Sequence, residues 1–426
     1  MNRLWYTLLF YCLLPFVLLR LSYRGLQAPA YRKRWGERFG FFTKPQLSEQ
    51  PIWVHAVSVG ETIAAIPLIK QIQQQYPECP LVVTTMTPTG SERVIALLGD
   101  QVFHVYAPYD LPGSVSRFLE KINPCLAVIM ETELWPNLIH GCANKNVPVV
   151  VANARLSARS AKGYERFKKL VQPMLTEITQ LAAQDQATAD RFLSLGLSQS
   201  QLKVTGSIKF DIDSDPADQE KGEALRQSWL ADGSRSVWVA ASTHQGEDEI
   251  ILTAHQQLLS TLPSALLVLV PRHPERFDEV AKLIEQQQLS YARRSDKQQV
   301  PSDTQVILGD TMGELKALYV AADVAFIGGS LLEGGGGHNM LEAAVWGKPL
   351  LSGPYVINFQ EITDKLVNAR GMKLVSNTNE IAEQLIKLLT DENQSRAVGS
   401  NALQVVEENR GALQHLLELI SQNITH

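Results

Sequence analysis

The chain has 426 residues, 45% of them hydrophobic and 19% charged, which is a globular composition too long for one ordinary core and predicts two domains. Its four cysteines follow neither a disulfide pattern nor a zinc-ligand spacing, which excludes both of these scaffold types. The net charge of −5 is uneven: up to Lys44 the chain carries six arginines and two lysines against one glutamate. This basic segment predicts an anionic membrane surface as partner rather than nucleic acid.

The first predicted element is an apolar helix. Leu4 to Leu19 contains sixteen residues without a charge. Such a helix is about 24 Å long, and extension to Tyr23 with a snorkelling Arg20 would let it cross a core of about 30 Å. The basic residues that follow predict a cytoplasmic location for the rest of the chain. We therefore predict a transmembrane signal-anchor in residues 1–43; a cleaved signal peptide and a buried core helix are the alternatives.

Two series of strand-helix alternation follow the anchor. The apolar runs PIWVHAVSV, LVVTTM, VFHVYAP, LAVIME and VPVVVANA begin the first series, which predicts a doubly wound α/β domain over residues 44–207. A second such domain is predicted over 236–394 from SVWVAAS, SALLVLVPR, TQVILGD, DVAFIGG and KPLLSG. Residues 395–426 are predicted to form a helical segment. Two Rossmann-like domains of this kind are expected to face a ligand cleft.

A polar stretch between the series predicts a linker over residues 208–235. It contains Asp211, Asp213 and Asp215 at alternate positions, which is a possible metal-ligand pattern. No glycine or terminal glutamate follows at calcium-loop spacing. The pattern therefore favours a solvated linker, and no metal site is predicted.

Charged residues follow several strands of the first domain. Glu61 comes after a predicted strand and opens a helix, where it could act as a proton acceptor or only complement the helix dipole. Glu131 and Glu133 follow the apolar run LAVIM and could serve a site or cap the next helix. Lys209 follows a strand at the domain junction, where it could meet an anion or only be solvated.

In the second domain, polar residues again come directly after strands. Ser242, Thr243 and His244 follow the first strand, and Arg272 with His273 follows the next. An arginine at such a place offers a bidentate partner for phosphate or carboxylate. A further turn into a helix, GDTMGEL, leaves backbone N–H groups free at its start.

The glycine-rich stretch GGSLLEGGGGHNMLEAAVWGKP, from Gly328 to Pro349, is the most unusual part of the sequence. A glycine-rich loop between a strand and a helix predicts an anion site, since side chains there would block backbone approach to a nucleotide. Asn339 and Glu342 also have the spacing of a helix capping box, which is the structural alternative. The stretch is neither a phosphate-binding P-loop nor a dinucleotide fingerprint, and no nucleophile elbow occurs in the chain.

Seven motifs in chain order resemble the 3-deoxy-D-manno-octulosonic acid (Kdo) transferases of lipopolysaccharide synthesis. They are HAVSVGE, ETELWPN, NARLS, TGSIKFD, PRHPERF, TMGEL and GGSLLEGGGGHNMLEAA. The resemblance extends over essentially the whole chain. It implies a GT-B fold with a membrane-anchored N-terminus at the cytoplasmic side of the bacterial inner membrane, and an inverting transfer of Kdo from CMP-Kdo to lipid IVA without metal or other cofactor.

The resemblance also implies roles for individual residues. Glu61 would be the general base, and Glu131 and Lys209 would support the transition state. The implied donor contacts are Pro271, Arg272, Met312, Gly313, Glu314, Asn339, Met340, Leu341 and Glu342. Additional candidates are Glu133, Ser242, Thr243, His244, His273 and His338. Two alternatives remain: a GT-B transferase or epimerase that uses a UDP-sugar, and an inactive membrane-tethered nucleotide-binding protein.

Overall fold

The computed structural model describes residues 1–230, 235–296 and 300–424. The chain forms two compact units. Unit 1 contains Met1–Asp211 together with Arg410–His426, and unit 2 contains Ile212–Asn409. Each unit is built around a parallel sheet of seven strands.

Unit 1 begins with a long helix and continues with alternating strands and helices. Its elements are α1 (Arg3–Gln27), β1 (Ile52–His55), α2 (Val59–Gln75), β2 (Leu81–Thr85), α3 (Pro88–Leu98), β3 (Phe103–Tyr106), α4 (Pro112–Ile122), β4 (Leu126–Met130), α5 (Pro136–Asn144), β5 (Val149–Ala154), α6 (Ala158–Glu165), α7 (Lys168–Thr176), β6 (Gln180–Ala183), α8 (Gln186–Ser194) and β7 (Leu202–Val204). The strand order is β3-β2-β1-β4-β5-β6-β7. Strands β1, β2, β4 and β5 are buried at every position, as expected of a parallel sheet covered on both faces.

The first helix, α1, is capped by Asn2, whose side chain accepts a hydrogen bond from the backbone N–H of Trp5 at 3.1 Å. Among the residues that the structure describes, it is the one helix long and apolar enough to cross a membrane by length and composition. Pro15 lies inside the helix without ending it. The predicted N-terminal apolar helix is therefore present.

Unit 2 repeats the pattern of unit 1. Its elements are α9 (Pro216–Trp229), β8 (Val237–Thr243), α10 (Glu247–Thr261), β9 (Leu266–Pro271), α11 (Phe277–Gln286), β10 (Tyr291–Arg293), β11 (Val306–Leu308), α12 (Leu315–Ala321), β12 (Val324–Ile327), α13 (Leu341–Ala344), β13 (Leu350–Ser352), α14 (Gln360–Asn368), β14 (Met372–Leu374), α15 (Thr378–Thr390) and α16 (Glu392–Asn409). The strand order is β10-β11-β9-β8-β12-β13-β14. All pairs between neighbouring strands are parallel.

The predicted C-terminal segment, residues 395–426, is divided in the structure. It contains the end of α16 and a separate helix, α17 (Ala412–Asn423). Gly411 separates them with φ +98°, a left-handed conformation that glycine adopts without strain. The helix α17 belongs to unit 1, where Leu416 and Ile420 share a core cluster with Leu68.

The predicted linker, residues 208–235, also differs from expectation. It contains α9, which packs against α12 within unit 2, and its residues 231–234 lie outside the described residues. Two of its aspartates have capping roles. The Asp211 carboxylate accepts from the N–H groups of Gly411 and Leu413 at 2.6 Å each, and Asp215 accepts from Ala217 N–H at 2.9 Å. These helix-capping contacts account for Asp211 and Asp215 without a metal.

Candidate active site

In the sheet of unit 1, the order in which the chain adds strands reverses between β1 and β4. The chain places β2 and β3 on one side of β1, and β4 to β7 on the other side. In open parallel sheets, ligands bind beyond the carboxyl ends of the strands at such a switch point. Glu61 follows β1 and Glu131 follows β4, so both lie at this position.

Glu61 is in the first turn of α2 and is only 7% exposed. The Ser58 hydroxyl donates to Glu61 Oε1 at 2.7 Å and accepts from Glu61 N–H at 3.2 Å, while Val57 N–H donates to Oε2 at 2.8 Å. This arrangement resembles a capping box with Ser58 as the N-cap residue, except that the Glu61 carboxylate binds the N–H of Val57, one residue before the N-cap. Burial raises the pKa of Glu61; the hydrogen bonds from Ser58 and Val57 oppose this shift, and the charge of Glu131 adds to it. The residue is therefore part of the helix cap and also a buried carboxylate with a raised pKa.

Glu131 has a strained backbone at the end of β4. Its φ is +55°, and non-glycine residues in this region cluster at functional sites. Its N–H donates to the carbonyl of Ala152 at 2.8 Å, and its Oε2 accepts from Arg155 Nε at 2.8 Å. Arg155 belongs to the NARLS motif, so two of the sequence motifs meet here.

Glu133 completes a group of three carboxylates. Its Oε2 accepts from Trp135 Nε1 at 2.8 Å. Burial raises the pKa of Glu133, and the negative charges of Glu61 and Glu131 raise it further. Neighbouring negative charges thus raise the pKa of both Glu61 and Glu133, which is the situation in which acid and base roles separate.

Lys209 lies near the same strand ends. Asn153, with φ +56° in β5, accepts from Ile208 N–H at 3.2 Å through its Oδ1. Ile208 packs in the same core cluster as Ala56 and Met130, which stand at the ends of β1 and β4. The turn that carries Lys209 is therefore held against β5, the strand next to β4 in the sheet of unit 1.

Unit 2 has its own switch point, between β8 and β12. Ser242 at the end of β8 has φ +57°, where the pairing with β9 shifts register. Thr243 is fully buried and donates to Asp248 Oδ1 at 2.6 Å. These two residues shape the turn that presents His244.

Glu247 holds the glycine-rich loop, and the sequence did not single it out. Its carboxylate is 1% exposed. Oε2 accepts from His244 N–H at 2.8 Å and Gly329 N–H at 2.7 Å, and Oε1 accepts from Ser330 N–H and Leu331 N–H at 2.8 Å each. A glutamate in the first turn of a helix was its only signal in the sequence.

The glycine-rich loop folds back on its own backbone. The carbonyl of Gly329 accepts from Gly336 N–H and Gly337 N–H at 3.0 and 2.9 Å. A Cβ at Gly335 would lie 2.4 Å from that carbonyl oxygen, and one at Gly336 would lie 2.1 Å from Asn358 Nδ2. Close backbone packing therefore explains Gly335 without a ligand, whereas Gly336 faces only the end of the Asn358 side chain, and approach to a nucleotide stays a prediction.

A histidine and arginine cluster lies beside this loop. The Nε2 atoms of His244 and His338 are 2.8 Å apart, and the His273 ring is 5.6 Å from that of His244. Burial lowers the pKa of His338 to about 4, helped by the charges of His244, Arg272 and His273. Burial also lowers the pKa of His244, so one neutral ring of the pair donates to the other. Arg272, directly after Pro271 at the end of β9, is exposed.

The predicted donor segment Asn339 to Glu342 forms the start of α13. Asn339 Oδ1 accepts from Leu341 N–H and its Nδ2 donates to Glu342 Oε1, both at 3.2 Å, so the two side chains pair directly and do not form the reciprocal side-chain-to-backbone bonds of a capping box. Met340 and Leu341 are fully buried, and Thr363 donates to the Met340 sulfur at 3.5 Å. Burial raises the pKa of Glu342, whereas its hydrogen bond to Asn339 and the nearby Arg272 charge oppose this.

The predicted contacts from the TMGEL motif differ in their surroundings. Met312 is 67% exposed, and Gly313 has φ +80° with open space around its Cα. Glu314 pairs with Lys221 at 2.8 Å and Arg294 at 3.2 Å. Burial alone would raise the pKa of Glu314, but these partners outweigh it and lower the pKa. The Glu314 carboxylate is thus already neutralised within unit 2.

Within residues 1–230, 235–296 and 300–424, no three His, Cys, Asp or Glu side chains are grouped to hold a metal ion. Metal independence of the reaction remains a prediction from the resemblance.

Two family models match the chain. Residues 33–212 match the 3-deoxy-D-manno-octulosonic-acid transferase family, and residues 237–405 match glycosyl transferases group 1. A 3-deoxy-D-manno-octulosonic acid transferase of Haemophilus influenzae is 46% identical over 99% of this chain and 98% of its own length.

Solved structures support the fold. The MurG protein of Acinetobacter baumannii has a TM-score of 0.55 at 15% identity, covering 88% of this chain and 100% of MurG. A UDP-GlcNAc 2-epimerase of Neisseria meningitidis has a TM-score of 0.57 at 16% identity, covering 87% of this chain and 100% of the epimerase. The GT-B fold, with two Rossmann-like domains, is confirmed, and the chain is a glycosyltransferase that belongs to the Kdo transferase family.

Proposed function

We propose that the protein is an inverting Kdo transferase that uses CMP-Kdo as donor and a hydroxyl of lipid IVA as acceptor. The observation that carries the mechanism is the group of three carboxylates at the switch point of unit 1, with Glu61 buried and its pKa raised. A glycosyl transfer needs a base for the acceptor hydroxyl, and carboxylates at such a position suit that task.

Glu61 removes the proton of the acceptor hydroxyl in the proposed step. The acceptor oxygen forms a bond to the anomeric carbon of Kdo, and the bond from that carbon to the phosphate oxygen of CMP breaks on the opposite face. CMP leaves with the bonding electron pair. Ser58 and Val57 each donate to one oxygen of Glu61, so the carboxylate is oriented and each oxygen keeps a lone pair for the proton.

The leaving phosphate gains negative charge, which cationic groups and N–H donors stabilise. Lys209 supplies such a cation in unit 1, and Glu131, held by Arg155, supports the electron-poor sugar carbon. In unit 2, Arg272 and the neutral pair of His244 and His338 offer donors to CMP-Kdo. The proposed step uses no metal or other cofactor.

The rate should depend on pH through Glu61. Because burial raises the pKa of Glu61, protonation begins at a higher pH than for an ordinary glutamate. Only the deprotonated form accepts a proton, so kcat/KM should fall about tenfold per pH unit below that pKa. A pH profile of kcat/KM measures this, because kcat/KM reports the pKa values of the free enzyme. An acid limb at or below the pKa of an exposed glutamate would contradict the assignment.

Replacement of Arg272 by alanine should weaken donor binding more than it slows the chemical step. A hydrogen bond to a charged group is worth about 1.5–3 kcal/mol, or about 10- to 150-fold in Kd. Titration of the purified protein with CMP measures the loss. Arg396→Ala is the matched control, because Arg396 lies on α16 in an exposed pair with Glu392. An unchanged Kd for CMP would remove Arg272 from the site.

Product analysis tests the proposed function as a whole. Purified enzyme, CMP-Kdo and lipid IVA should yield lipid IVA heavier by one or more Kdo units, with equimolar CMP. Protection from heat by CMP but not by UDP would support the donor assignment. Transfer from a UDP-sugar, or no transfer at all, would contradict it. The site of action that we propose is the cytoplasmic side of the bacterial inner membrane.

A further inference from the structure

The outer face of α1 is apolar and uncovered. Leu4, Trp5, Leu8, Phe16, Leu19 and Tyr23 are each between 53% and 76% exposed. Exposed apolar surface of this extent marks a contact with a membrane or another protein.

The opposite face of α1 is partly covered along its whole length. Tyr6, Phe10, Leu14, Val17 and Leu21 are half-buried and recur every three or four residues. This spacing places them on one stripe of the helix. The helix therefore has an inner face and an outer face, although both are apolar.

The first turns of α1 contact unit 1 directly. Thr7 Oγ1 donates to Asn137 Oδ1 at 3.1 Å. The ring of Phe10 is 6.4 Å from that of Tyr109. The beginning of the helix is thus in contact with α5 and with the segment that precedes α4.

Asp110 strengthens this attachment. Its carboxylate is 3% exposed, accepts from the N–H groups of Asn137 and Leu138 at 3.1 and 2.7 Å, and is hydrogen-bonded to Tyr6. Burial raises the pKa of Asp110 to about 6, while these hydrogen bonds oppose the shift. One carboxylate thus joins the start of α1 to the start of α5.

The last turns of α1 also lie beside the same unit. The Arg24 guanidinium is 4.8 Å from the centre of the Tyr31 ring. A Cβ on Gly25 would lie 2.4 Å from Arg32 Cγ. The chain therefore packs back on α1 immediately after the helix ends.

A spanning arrangement conflicts with these contacts. A helix of 25 residues is about 37 Å long, enough to cross a hydrocarbon core of about 30 Å. If α1 crossed the membrane and the rest of unit 1 stayed on one side, the first turns would be separated from Tyr109 and Asn137 by the bilayer. Their contacts with these residues require both ends of α1 to be on the same side.

We propose that α1 lies in the plane of the membrane and inserts its outer face into one leaflet of an anionic bilayer. The charge near the helix supports this partner, because Arg20, Arg24, Arg32 and Lys33 come at its end and just after it. The outer face of α1 is consequently attached to α5, which begins shortly after Glu131 and Glu133. This mode of docking does not depend on the identity of the sugar donor.

Cross-linking in membranes tests the position of the first turns. The full-length variant with Thr7→Cys and Asn137→Cys, and with Cys12 and Cys79 replaced by serine, should be bridged by a short bis-maleimide in membrane vesicles. The control pair combines Leu8→Cys, on the outer face, with Asn137→Cys. At least about tenfold more bridging in the first pair is expected. Equal bridging in the two pairs would overturn the proposal.

Labelling from one side of sealed vesicles tests the same point without a bridge. Cysteines introduced by Asn2→Cys and by Lys203→Cys, an exposed position of unit 1, should react with an impermeant maleimide from the same side. Labelling from opposite sides would show a spanning helix and overturn the proposal. This measurement does not depend on bridging at Asn137.

Vesicle binding tests the partner. Leu8→Glu and Phe16→Glu should each reduce partition of purified protein into phosphatidylglycerol vesicles at least about tenfold, the ratio for losing the burial of one large side chain. Ile95→Glu, at an exposed apolar position of α3, is the control and should bind normally. Unchanged partition of the α1 variants would overturn the proposal. So would a lipid-free dimer that the same variants dissociate, because it would assign the face to a second copy.

Discussion

Replacement of Glu61 by glutamine should reduce kcat by about 100- to 10,000-fold, the range for loss of a general base. Glutamine keeps the size of the side chain, and its oxygen can still accept from Val57 N–H. Because burial disfavours the charged form of Glu61, the neutral amide should not destabilise unit 1. The acid limb of the pH profile should disappear together with the rate.

Two measurements separate this result from a general loss of structure. The Kd for CMP should change little, since the predicted donor contacts are in unit 2. Glu92→Gln, at an exposed position on α3, should leave the rate unchanged. A Glu61→Gln enzyme with about a third of the normal rate would leave Glu61 as a helix cap only. Glu131 and Glu133 would then be the next candidates for the base.

Replacement of Glu247 by glutamine should strongly destabilise unit 2. The amide keeps one acceptor atom, so two of the four N–H groups that Glu247 now binds, three of them buried, would lose their partner. Each loss costs about 1–3 kcal/mol, so the free energy of unfolding should fall by about 2–6 kcal/mol. This is a large share of the roughly 5–15 kcal/mol that stabilises a domain.

Chemical denaturation of the purified protein measures the change, and CMP titration should show weaker binding because the loop of Gly329 and Ser330 loses its support. Glu249→Gln is the matched control, since Glu249 is in the same helical turn but exposed. Equal stability of the two variants would show that the loop keeps its shape without the carboxylate.

The pattern of apolar runs predicted the strands that are long and buried, such as β4 and β8. The edge strands β10 and β14 were not predicted, because each has three residues and is not fully buried. The break at Gly411 was missed since the amphipathic pattern continues through it. Periodicity detects a buried face, and these elements have little of one.

The candidate site, like the fold, could be predicted from the sequence only in part. Position after a strand was enough to select Glu61 and Glu131 and to expect them at one edge of the sheet. The role of Glu247 could not be predicted, because three of its four partners lie more than 80 residues away in the chain. The pairing of His244 with His338 spans 94 residues and is hidden for the same reason.

The return of the chain to unit 1 at α17 determines when each unit can be completed during synthesis. Unit 2 is one continuous stretch, whereas unit 1 needs Leu416 and Ile420 beside Leu68 and Ile69. At about 5–20 residues per second, synthesis of unit 2 takes roughly 10–40 s. Throughout that time the nascent first unit exposes the apolar surface that α17 will cover. The N-terminal unit is therefore completed only after unit 2 has been synthesised, and until then its unfinished core is open to aggregation.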